Sequence, residues 1–193
     1  MVRGKKIDKI SLDNFVAPAS IIIAHNSAFD RPICEKLSDI FSEKPWACSM
    51  SEIEWSRLGF EGTKLAYLAN QFGFFYNGHR AFDDCNALLE ILSRPIPKIK
   101  ETVLNRLLFS ARETRFRIWT RGPYGLKDLL KARGYRWNPG SNGPPKSWWI
   151  EVSEAQKDAE TLFLRSHANL DEKDILVKKI TAFDRYKSYH SGL

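Results

Sequence analysis

A run of apolar residues, Ser20 to Ala24 with three consecutive isoleucines, interrupts an otherwise polar N-terminal stretch. Short continuous apolar runs of this kind lie buried inside a sheet, with cover on both faces. The chain then changes period. From Ala28 or Phe29 a helix is expected, with Asp30 in its first turn and Pro32 where a missing N–H costs little. Ile33, Leu37, Ile40 and Phe41 repeat every three to four residues. A buried strand feeding such a helix points to an α/β architecture. Trp46-Ala47-Cys48 is a second short strand candidate, and a helix is expected around Ser51–Leu58. Lys64 to Phe72 is amphipathic, stopped by Gly73. Asn77-Gly78 turns the chain into His79, a long helix follows from Ala81 to Ser93, and Pro95 and Pro97 end it. Ahead of all this, residues 1–18 are polar, with a short helix expected from Leu12 to Val16 and a stop at Pro18.

The second half differs in character. Residues 1–97 carry 11 Lys/Arg against 12 Asp/Glu, whereas residues 98–193 carry 19 against 11. The net charge of +7 therefore originates entirely in the C-terminal part. A basic region attached to a neutral one suits contact with a polyanion, although a solvated surface accounts for it equally well. Lys98 to Ser110 reads as a connecting helix. Arg115–Thr120 then alternates as a strand, Arg121-Gly122-Pro123 turns, and Leu126–Arg133 is a helix stopped by Gly134. Tyr135–Trp137 and Ser147–Val152 form a hairpin around the Pro139–Pro145 loop, and Ser153-Glu154-Ala155-Gln156 is a capping box for a helix reaching Ser166. The result is a small β-α-β-β-α unit with a charged tail from Leu170, read as one more helix. The implied divisions are 1–97, a connecting helix over 98–112, a basic aromatic module over 113–168 and a tail over 169–193. Trp119 and one of Trp148/Trp149 are expected in the core, since neighbours on a strand face opposite sides.

No run approaches the roughly 18 apolar residues a membrane span needs. No apolar stretch follows the basic start Met1–Lys6, so a secretory signal is not expected. Cys34, Cys48 and Cys85 lack metal-type spacing and read as reduced thiols, which suits a cytoplasmic setting.

Two blocks carry chemistry. After the apolar run comes His25-Asn26-Ser27-Ala28-Phe29-Asp30, and about fifty residues later His79-Arg80-Ala81-Phe82-Asp83-Asp84 opens an apolar helix. Phosphodiester hydrolysis needs a hydroxide nucleophile and neutralisation of the leaving oxygen. Paired divalent cations held by carboxylates supply both, with a histidine to accept the water's proton. Each residue also has a plain structural reading: Asp30 as a first-turn acid favoured by the helix dipole, His79 as a surface loop residue, Asp84 as a solvated helix acid. Taken together, the blocks resemble the second and third motifs of the DnaQ-like (DEDDh) 3′–5′ exonucleases, the family of bacterial proofreading subunits, over roughly residues 10–93.

That resemblance implies a partial RNase H-like exonuclease domain, followed by the basic module. It implies Asp30 and Asp84 as ligands of a Mg²⁺ or Mn²⁺ pair, His79 as general base, and Asn26, Phe29 and Ser49 near the substrate. His25 and Asn26 shape the strand-to-helix turn, and Asp83 is assigned to the surface. The family's first motif, Asp-x-Glu on an earlier strand, is absent: Asp8 and Asp13 are not in such a pair, and Glu52-Ile53-Glu54 comes downstream. Two of the four acids are therefore missing, and an impaired nuclease is expected. The chain is expected to be a fragment, leaving the Ser20–Ala24 strand with an open edge. The module resembles an extension found on some bacterial members around Leu-Lys-Ala-Arg-Gly-Tyr-Arg-Trp-Asn. Arg133, Arg136 and Trp137 are its candidate nucleic-acid contacts. Expected partners are DNA, single-stranded 3′ ends above all, replication or repair proteins, and a second polypeptide supplying the absent strands. The alternative is a non-catalytic nucleic-acid-binding protein derived from such an enzyme.

Overall fold

A computed structural model describes residue 4 and residues 6–97, 99–122, 124–140, 146–168 and 170–187. Most of the Pro139–Pro145 loop, and Pro123 of the turn before it, lie outside the described residues. The chain is mixed α/β and divides into two compact units. The first comprises Met1–Arg112 with Ala182–Lys187; the second is built on Glu113–Thr181.

In the first unit, α1 (Lys9–Val16) is capped by Asp8, whose carboxylate accepts from the Ile10 and Ser11 N–H groups. β1 (Ile22–Ala24) runs parallel to β2 (Trp46–Cys48), with Ile22 opposite Trp46 and Ala24 opposite Cys48. The crossover between them carries α2 (Ser27–Leu37) and the short α3 (Ile40–Glu43). Beyond β2 come α4 (Leu65–Gln71), α5 (Ala81–Ser93) and α6 (Val103–Arg112). Their apolar faces close one core around Trp55, Leu68, Ile91, Val103 and Leu107. Within it the Trp55 and Phe60 rings meet edge-on, 5.0 Å between centroids.

Two expectations change here. β1 is half-buried, not enclosed, because among the described residues it pairs with β2 alone. The helix expected at Ser51–Leu58 is a chain of turns. Side chains there satisfy the backbone locally: the Glu52 carboxylate accepts from the Cys48 N–H, and the Trp55 indole donates to the Ser49 carbonyl.

The first unit also takes back a piece of distant sequence. The Trp46 N–H donates to the Ala182 carbonyl, which sets residues 182–187 against β2. Two buried cations hold this strap. Arg31, fully buried on α2, donates to the carbonyls of Phe183 and Arg185 and pairs with Glu35. Arg185 pairs with Glu52 at 2.5 Å, and Tyr186 donates to the same carboxylate. The expected charged tail is thus partly an integral piece of this fold.

The second unit follows the order β3 (Arg115–Thr120), α7 (Lys127–Ala132), β4 (Arg136–Asn138), β5 (Ser147–Ser153), α8 (Glu154–Ser166) and β6 (Ile175–Ile180). Its sheet is antiparallel in the order β4-β5-β3-β6, a split β-α-β topology. The capping box at Ser153 and Gln156 starts α8, and Gly134, at φ +95°, ends α7. The tail expected as a helix is strand β6 instead. Its Ile175-Leu176-Val177 run completes a six-residue ladder with β3. One sheet face, with Ile118, Trp148 and Val152, packs on Leu130 and Leu164 of the helices.

Candidate functional site

The strand-to-helix turn after β1 is built by Asn26, whose φ of +84° is a left-handed conformation that asparagine tolerates better than most residues. The turn aims His25 across the sheet end. Its Nε2 lies 2.7 Å from the Thr63 carbonyl and its Nδ1 2.9 Å from Ser49 Oγ. A carbonyl only accepts, so Nε2 carries the proton and Nδ1 accepts from the Ser49 hydroxyl. Burial holds the His25 pKa below its ordinary value, and the Thr63 hydrogen bond opposes this in part. Ser49, expected to face substrate, is 1 % exposed; its N–H also donates to the Ala24 carbonyl. His25 and Ser49 therefore fasten β1, β2 and the Thr63 loop together. The turn brings Asn26 and Phe29 to the surface, Phe29 at 66 % exposed.

Asp30 sits half-buried in the first turn of α2, where burial raises its pKa and its own backbone N–H lowers it by less. His79 is exposed and adopts φ +71° just ahead of α5, a left-handed conformation in which histidine is found more often than most non-glycine residues. Asp84 is half-buried in the first turn of α5, its carboxylate beside the Tyr76 hydroxyl. Burial, reinforced by that carboxylate, pushes the Tyr76 pKa up to about 12. Asp83, assigned to the surface, lines a cleft of about 370 Å³ together with Phe74, Tyr76, Asn86 and Glu90.

Among the described residues, no three His, Cys, Asp or Glu side chains gather in a way that could hold a metal ion. Asp30, His79 and Asp84 do not form such a group, and two carboxylates with one imidazole are fewer donors than a Mg²⁺ or Mn²⁺ pair takes. Both acids are half-buried, and each lies in the first turn of a helix, where the dipole favours a negative charge.

In the second unit the three residues expected to act together separate. The Arg133 guanidinium stacks 3.8 Å from the Phe163 ring centroid and pairs with Glu160. Trp137 is 48 % exposed, on the helix side of the sheet against Trp148, with 5.3 Å between ring centroids. Arg136 points to the other side, over Trp149 at 5.4 Å. Adjacent strand residues must diverge in this way. Trp148 is buried in the core and Trp149 is its outward neighbour, as strand parity requires. Trp119 is 8 % exposed but lies on the Trp149 face, not in the helix-side core.

Tyr76 and the buried Arg31 escaped the sequence reading. An arginine among the apolar positions of α2 is the signal that was available for Arg31. Tyr76 has none, because its partner is set by how the loop before α5 folds. Among the described residues no helix is long and apolar enough to cross a membrane. Neither a protein-family model, nor a curated protein, nor a solved structure matches this chain.

Proposed function

We propose that the chain is of DnaQ-like 3′–5′ exonuclease type, with a partial RNase H-like first unit, and that it acts at DNA 3′ ends with impaired hydrolysis. The observation that carries this is the parallel β1-α2-β2 crossover, which sets the His25–Asp30 block at the carboxyl ends of both strands. Crevices at the carboxyl ends of parallel strands are where open α/β sheets bind ligands. Asp30 also retains a carboxyl in a half-buried place that raises its pKa, an arrangement that costs stability and is found at functional sites more than elsewhere. In this reading Asp30 and Asp84 are the acids facing the phosphodiester, and His79 takes a proton from the attacking water. Mg²⁺ or Mn²⁺ would supply charge neutralisation in a complete site.

The test is release of 3′-labelled nucleotide from DNA with Mg²⁺ or Mn²⁺, run beside Asp30→Ala, His79→Ala and Asp84→Ala. Slow release that each substitution abolishes is expected. Release that survives all three, or that begins at the 5′ end, would refute the assignment. A second reading, binding without cleavage, is favoured by the exposed Arg136 set over the Trp149 ring in the second unit. Salt-dependent binding of single strands with no product in either metal would establish it.

A further inference from the structure

The sheet of the second unit has one face on α7 and α8, and the residues of its other face fall into register. One row runs Arg136, Trp149, Trp119, Leu176 across all four strands; the next runs Glu151, Arg117, Lys178. The cations and rings interleave. The Arg117 guanidinium lies 4.9 Å from the Trp149 ring and 5.7 Å from Trp119, and the Arg136 guanidinium lies 5.4 Å from Trp149. Glu151 fixes Arg117 in place through Nε at 2.8 Å.

Exposure separates floor from contact surface. Trp119 is 8 % exposed and the Arg117 side chain 12 %, whereas Leu176 is 49 % exposed and Arg136 and Lys178 are open. Trp149 is half-buried, with the Arg117 and Arg136 guanidinium groups beside its ring. Among the described strand residues, this face carries Arg115, Arg117, Arg136 and Lys178 against one acid, Glu151. An indole held in a fixed plane suits a flat unpaired ring, and the charge excess suits a phosphate backbone. Duplex DNA keeps its base faces stacked, and an acidic peptide has no group that requires the indole.

We propose that this face binds single-stranded nucleic acid, with a base stacking on Trp149 and phosphates meeting Arg136 and Lys178. The proposal deepens the functional reading above by naming where on this chain the strand lies, and it assigns contacts to Trp149 and Lys178 in place of Trp137. Fluorescence anisotropy of the full chain with labelled oligothymidylate and oligouridylate tests it. Loss of one stacking contact weakens binding about 5- to 150-fold, so Trp149→Ala should fall in that range. Lys178→Ala should weaken it and lower the salt slope by about 0.7. Trp137→Ala, on the opposite face, should leave affinity within twofold. Should Trp149→Ala fail to fold, Arg136→Glu and Lys178→Glu alter exposed positions only, and each must still weaken binding. Affinity unmoved by these charge reversals, or more sensitive to Trp137 than to Trp149, overturns the proposal. Failure here with 3′-end release intact would leave the catalytic reading standing. Binding lost only in the Asp30, His79 and Asp84 variants would place the strand on the first unit and overturn this proposal alone.

Discussion

Replacing Arg185 by methionine keeps much of the side chain's volume and removes the cation opposite Glu52. Both partners are almost fully enclosed, at 1 % and 3 % side-chain exposure for Glu52 and Arg185. The carboxylate would retain the Tyr186 hydroxyl at 2.7 Å and the Cys48 N–H at 3.0 Å, but no neutralising charge. The Ser110 carbonyl, 3.1 Å from Arg185 Nη1, would lose that donor. Removing one partner of a buried pair costs about 3–5 kcal/mol, because the survivor's charge stays desolvated. Against a typical domain stability of about 5–15 kcal/mol this is a large share. It corresponds to a fall in Tm on the order of 10–20 °C. Urea unfolding followed by circular dichroism measures the loss, and limited proteolysis reports whether residues 182–187 have come away. The double variant Glu52→Gln with Arg185→Met removes both charges and should recover at least 1 kcal/mol of what Arg185→Met loses. A single-variant loss below about 1 kcal/mol, or a double variant less stable than the single one, would refute a buried charge pair as the strap's anchor.

Three further outcomes follow from the same geometry. The folded His25 pKa lies below its unfolded value near 6.5, so the unfolded chain binds the proton first; stability should be complete above that pH and decline below it, levelling off under the depressed folded pKa. Denaturant midpoints between neutral and mildly acidic pH should show that slope in the wild type and less of it in His25→Gln. For Asp30 the sign reverses: its folded pKa is raised, so Asp30→Asn should be at least as stable as wild type near neutrality, the difference vanishing below the unfolded carboxyl pKa. A clear destabilisation of Asp30→Asn at neutral pH would contradict this. In the second unit Glu160 accepts from the buried Tyr135 hydroxyl at 2.9 Å and from Arg133; Glu160→Leu should cost about 1–3 kcal/mol by stranding that hydroxyl, measured by thermal unfolding against Tyr135→Phe/Glu160→Leu.

Local patterning made much of the fold legible. The α5 boundaries and the β3 strand were read from apolar spacing, and the α8 start from its capping box, because each depends on contacts only a few residues apart. Ser51–Leu58 differs: Ile53 and Trp55, two residues apart, both point into the core, which a chain of turns permits and a helix does not. β6 was missed because its charged neighbours dominate its composition. A strand pairing on one edge with β3 can carry Leu176, Val177, Lys178 and Lys179 exposed.

At the candidate sites the sequence supplied residue types and chain positions: two acids in helix first turns, a histidine before α5, and tryptophans alternating with arginines. It also determined parity on each strand, hence that Trp148 and Trp149 oppose one another. Which groups meet was decided by tertiary structure alone. Glu52 finds Arg185 and Arg31 finds the Phe183 carbonyl across more than a hundred residues, Asp84 is engaged by Tyr76, and Arg136 reaches Trp149 through strand register. The physical reason is range. Helix caps and periodicity act over a turn or two of chain, whereas desolvated charges and paired rings take their partners from whatever the folded backbone brings within a few ångströms.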